Sequence, residues 1–160
     1  MQWIEAAAAV LVTALATAAP PPAEEPLWRA ATGPTPLERQ RMAAWHRAWL
    51  EEAAPVERSF RALHRAAAGE TPVALRPHCL ALAEDLLEVD RRRVLPVPDP
   101  AADLHLRRGL RELGQAAVTC LGKRPYATRQ ALAEAASALR QVDRVLGPYG
   151  LELRAGRLEP

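Results

Sequence analysis

Apolar residues return at alternating steps of three and four from Met42 through Trp45, Trp49, Ala53, Val56, Phe60 and Leu63 to Ala67. That spacing keeps them on one side of a helix, and it runs unbroken past Pro55. Thr35-Pro36-Leu37-Glu38 stands in front of it as a capping box, with Thr35 at the N-cap and Pro36 at the first helical position. The pattern predicts a long first helix kinked at Pro55, or two nearly collinear ones, ending at Gly69.

Three further helices follow from the same reading. Residues 69–77 form a connection broken by Pro72 and Pro77. Cys79, Leu82, Ala83, Leu86, Leu87 and Val89 then give a broad apolar face over residues 78–93. The segment VLPVPDP (94–100) cannot be helical and makes a stiff turn, after which Asp99 caps a third helix with Pro100 at its first position. Leu106, Leu110, Leu113, Ala117 and Cys120 carry that helix to about Leu121, where Gly122 is a stop signal. Thr128 or a neighbour opens a fourth, with Leu132, Ala135, Leu139, Val142 and Leu146 on one face and Gly147-Pro148 behind it. No segment long enough to matter alternates as a strand does. The expectation is an all-α, antiparallel four-helix bundle over residues 35–150, with residues 151–160 as a tail.

The N-terminus has a different character. Ala6 to Ala19 is almost wholly apolar and is followed at once by Pro20, Pro21 and Pro22. Its length suits a secretory h-region and falls short of the roughly 20 residues that span a bilayer. Ala16-Thr17-Ala18 supplies a small-x-small cleavage signal, although residues 1–5 lack the usual basic charge and carry Glu5. Residues 1–18 read as a signal peptide or short membrane anchor, and residues 19–34 as a Pro-rich linker carrying Trp28. If uncleaved, residues 4–19 are the only part expected to touch a membrane. The chain is therefore expected to be exported, periplasmic or extracellular, or else anchored by this segment.

Two cysteines sharpen that expectation. Cys79 opens the second predicted helix and Cys120 closes the third, so an antiparallel hairpin brings them to one end. Counted from the VLPVPDP turn they stand at about 21 Å and about 30 Å, at roughly 1.5 Å per residue. The offset of about 9 Å is within the slack of that segment, since an extended residue spans about 3.3 Å. A disulfide there implies an oxidising compartment; two buried thiols are the alternative. Without a Cys-x-x-Cys spacing the pair is structural rather than redox-active.

Composition narrows the function classes. The 160 residues carry 49% apolar and 25% charged residues and a net charge of +2, with acids and arginines interleaved, which argues against nucleic-acid binding. Of 21 basic residues only Lys123 is lysine, which together with the alanine excess reads as a GC-rich genome. Arg91, Arg92 and Arg93 form the one dense basic run and suit a solvated helix C-terminus. Of the four histidines, His46 and His64 lie roughly 27 Å apart along one helix and cannot share a metal. His78 and His105 are weak metal candidates, with no ligand spacing of a known kind around them. The acidic pairs Glu51-Glu52, Glu84-Asp85 and Asp99/Asp103 suit caps and solvated faces better than acid–base catalysis. No nucleophile, phosphate loop or dinucleotide motif is present, and no cofactor or catalytic residue is assigned.

Trp28, Trp45 and Trp49 remain. Trp45 and Trp49 sit on the apolar seam, where core packing is the ordinary role, but so much aromatic surface in one region also suits a partner-docking face. The sequence thus leads to a non-catalytic exported helical bundle serving as an interaction or accessory subunit of an envelope protein complex. A periplasmic metal- or small-ligand-binding bundle is the alternative.

Overall fold

Thr35 opens the first helix in the computed structural model, which describes residues 33–69 and 74–153. Its hydroxyl accepts from the Glu38 N–H at 3.2 Å, and the Glu38 carboxylate accepts from the Thr35 N–H at 2.7 Å, closing the capping box. Helix α1 (Pro36–Glu52) ends at Ala53, and α2 (Ala54–Ala66) starts beside it with Pro55 in its first turn. Proline has no N–H for the Glu51 carbonyl, so the helical ladder breaks there while the apolar seam continues. Every seam residue from Met42 to Ala67 is buried. The break therefore resolves the long first helix into two, both facing one core.

Helix α3 (Arg76–Glu88) starts two residues before the expected point, because Pro77 is tolerated in a first turn. It also stops early. Val89 leaves helical geometry (φ −58°, ψ 120°), and Asp90 caps a separate short helix, α4 (Arg91–Val94), by accepting from the Arg92 N–H at 3.0 Å. The arginine run is therefore a helical turn of its own rather than the end of α3. The separation lets Val89 and Val94 both turn into the core.

Residues 95–99 run without helix, with a cis Leu95–Pro96 bond, to α5 (Pro100–Leu121). Asp99 caps α5 by accepting from the N–H groups of Ala101 and Ala102 at 2.9 and 3.0 Å. Helix α6 (Pro125–Leu146) follows after three residues and returns along α5. Gly109 permits a close approach of this pair, since a Cβ there would stand 3.1 Å from a Leu139 methyl. Thr128 does not cap α6. It is buried inside the first turn, with its hydroxyl 2.9 Å from the Arg124 carbonyl and 3.2 Å from the Thr119 hydroxyl.

The turn between α5 and α6 differs from expectation in one residue. The Arg124 N–H donates to the Thr119 carbonyl and the Lys123 N–H to the Cys120 carbonyl, each at 2.9 Å, which is a Schellman closure. It places Gly122 at φ −74° and puts Lys123 in the left-handed region at φ 56°. A lysine there costs about 1 kcal/mol that glycine does not. Lys123→Gly is accordingly expected to raise stability by about 0.5–1 kcal/mol, read as an upward shift of the thermal midpoint. An unchanged or lowered midpoint would refute the assignment.

Every regular element among the described residues is helical, and none is a strand. Helix α2 packs on α3, α3 on α5, and α5 on α6. Helix α1 approaches α4, α2 and a 3-10 turn, Gly147–Tyr149, that ends α6. Residues 151–153 do not trail away as expected of a tail. Leu153 is fully buried, while Tyr149 and Leu151 pack against the same core. Residues 154–160 lie outside the described residues, as do residues 1–32 and hence the signal-like segment, most of the linker and Trp28.

Candidate functional site

Cys79 and Cys120 are bridged, with Cα atoms 5.9 Å apart, inside the usual span for a disulfide. Both are buried, at 0% and 6% exposure. The register offset between α3 and α5 is absorbed on the opposite side, by α4 and residues 95–99. The bridge joins the first turn of α3 to the last turn of α5, so it fastens together two elements that already pack on one another.

The tryptophans behave otherwise. Trp45 and Trp49 stack with ring centroids 6.2 Å apart, and both lie in the core at 6% and 2% exposure. Trp45 Nε1 donates to the Val94 carbonyl at 2.8 Å, and Trp49 Nε1 to the Glu57 carboxylate at 3.3 Å. Their polar edges are satisfied inside the protein, as buried indoles require. Trp45 and Trp49 thus take the core-packing role that is ordinary on the seam, and neither ring offers a docking face in this conformation.

The apolar side chains that do reach it lie elsewhere. Leu80 and Leu87 are 39% and 84% exposed on α3, and Leu104 and Val118 are 67% and 66% exposed on α5. Leu87 belongs to the set expected to face inward. It turns outward because Leu82 and Leu86 set the buried side of α3. Leu80 and Leu87 stand two turns apart on one face. Val118 precedes Cys120 by two residues, and Leu80 follows Cys79 by one, so the disulfide brings them to the same end. No protein-family model, curated protein or solved structure matches this chain.

The histidines are not gathered into a centre. His78 lies beside Ala62, Arg65, Ala66 and Gly69 along a shallow open groove of about 320 Å³. His105 is on α5, about 22 Å along the helix from the cysteine bound to Cys79, at about 1.5 Å per residue. The two cannot bind one ion. Among the described residues, no group of His, Cys, Asp and Glu is placed to hold a metal. His64 sits edge-on to Phe60, and His46 Nε2 donates to the Glu152 carbonyl at 2.7 Å.

Two of the acidic pairs, Glu51-Glu52 and Asp99/Asp103, are engaged in structure. Arg93 binds both Glu51, at 3.0 Å, and Glu52, tying α4 to the end of α1. The attraction of Glu52, reinforced by the hydrogen bond to Glu51, raises the already high pKa of the guanidinium. Asp103 accepts from the Val97 N–H at 2.9 Å and from Arg107 Nε at 2.7 Å. Burial pushes the Asp103 carboxyl up, but these hydrogen bonds outweigh it and hold it below its ordinary value of 3.8. A carboxyl held down contributes stability that is present above the unfolded value and is lost as pH falls through the folded one. Asp103→Asn is therefore expected to weaken the protein at pH 7 and to flatten its loss of stability below about pH 4. Urea midpoints at pH 7 and pH 3 check this; equal acid sensitivity in both proteins would exclude Asp103 as a contributor.

Sequence reasoning missed the exposed row on α3 and the docking of residues 147–153. The first was hidden because periodicity alone cannot rank two adjoining apolar faces. The second had one signal, the spaced Leu151 and Leu153, in a segment too short to carry a period.

Proposed function

We propose that this chain is an exported helical-bundle protein that binds another envelope protein as an accessory subunit. In this reading α2, α3, α5 and α6 make an antiparallel four-helix bundle. The Cys79–Cys120 bridge supports export, because disulfides persist in oxidising compartments and are rare in the cytosol. Among the described residues, no helix is long and apolar enough to cross a membrane. In this reading residues 4–19 are the candidate anchor if they are not cleaved.

The observation that carries the interaction reading is the pair Leu80 and Leu87, two turns apart on one exposed face of α3. Isolated exposed leucines are ordinary, but two on one face of a helix make an apolar stripe that a protein partner would cover. A photo-crosslinking residue at position 87 or 80 is expected to capture the same envelope protein in the native cell. The same residue at position 140, on the exposed side of α6, should capture none. No adduct from either position, with an isolated monomer recovered from native membranes, would overturn the proposal. The mass of the mature protein tests export separately: cleavage near Ala18 and the loss of two hydrogens are the expected result.

A further inference from the structure

The way α1 is fastened differs from the way every other long helix is. Helices α2, α3, α5 and α6 pack side against side in succession, and the disulfide bolts α3 to α5. Helix α1 buries Met42, Trp45 and Trp49 in the core and bonds to α2 through Trp49 and Glu57, but its other polar ties run to short elements. On one flank Trp45 binds the Val94 carbonyl and Glu51 and Glu52 bind Arg93, all on α4. On the other, His46 binds the Glu152 carbonyl in the segment that follows α6.

That segment, residues 147–153, is built as a strap. Gly147 and Gly150, the latter left-handed at φ 71°, bracket a single 3-10 turn. Beyond it Tyr149 donates to the Asp99 carboxylate at 3.2 Å, the Leu153 N–H donates to Asp143, and the Leu153 side chain is sealed at 0% exposure. The strap thus grips α1, the cap of α5 and the last turns of α6 at once. The other end of α1 is the ladder break at Ala53 and Pro55, where a helix can swing without breaking a further backbone bond.

We infer that α1 and the strap form a latch that opens as one unit, leaving the disulfide-bolted body of α2, α3, α5 and α6 folded. Local openings of this kind follow units with few shared contacts to the rest of a protein. Opening uncovers Trp45 and Trp49, the aromatic pair that the closed protein buries. Their use by a partner would rest on the interaction reading above; the opening itself does not.

Native-state hydrogen exchange on the full, oxidised chain tests this. With denaturant varied, amides of α1 and the Leu153 amide are expected to share one opening free energy, below that of the central amides of α5 and α6. Leu153→Ala should speed exchange throughout α1 by at least about 30-fold while leaving α5 and α6 unchanged. The inference falls if α1 opens only with α5 and α6 in the unaltered protein. It falls equally if Leu153→Ala loosens only residues 150–153, or accelerates every helix alike. Should that variant not fold, the denaturant series on the unaltered chain decides alone. Crosslinking at position 87 is independent of all these results, so loss of the partner reading and loss of the latch are separable.

Discussion

Replacing Cys79 and Cys120 together with alanine is expected to lower the unfolding free energy by about 4 kcal/mol. The cysteines are 41 positions apart, and closing a loop of that length removes conformational freedom from the unfolded chain on that scale in the chain-entropy model. Reducing the unaltered protein should give nearly the same loss, because the thiols refill the space the sulfurs occupied. The comparison is informative, since the alanine pair also removes two buried sulfurs and should be the less stable of the two. Urea unfolding of the oxidised, reduced and doubly substituted proteins checks the order. Equal midpoints for all three would mean that the bridge constrains nothing. A chain of this size buries enough core to fold without a staple, so the reduced protein should still unfold cooperatively.

Trp49→Ala is expected to cost about 4 kcal/mol, near the upper end for a single core position. Trp49 is 2% exposed and joins α1 to α2 through the Glu57 carboxylate, which is itself 5% exposed. Its loss opens a cavity between two helices that the break at Ala53 already separates, and takes a donor from a buried carboxylate. Leu87→Ser, at a residue 84% exposed, should change stability by less than about 0.5 kcal/mol. Thermal or denaturant midpoints of the two variants separate the inward and outward faces directly. If Leu87→Ser destabilised as much as Trp49→Ala, the orientation of α3 given above would be wrong.

Those variants mark the line between what local chemistry encodes and what packing decides. The cap at Thr35, the proline at position 36, the cap at Asp99 and the seam from Met42 to Ala67 were legible because each acts within one or two turns. The disulfide was legible because consecutive long helices that pair antiparallel restrict which ends can meet. Arg93 was not legible in this way. Its pairing with Glu51 and Glu52 depends on α4 crossing the end of α1, a contact made over about forty residues of chain. A run of three arginines looks the same on paper at a solvated helix end.

By itself, then, the sequence determined the helical class, the main helix starts, the buried seam and the cysteine pair, since periodicity, caps and turn chemistry are local. Only packing in three dimensions set Leu87 facing out and returned Leu153 to the core. Each of those choices depends on which neighbouring helix claims an apolar face. Where a helix carries more apolar surface than one neighbour can cover, burial is settled by the competition between partners rather than by the residues themselves.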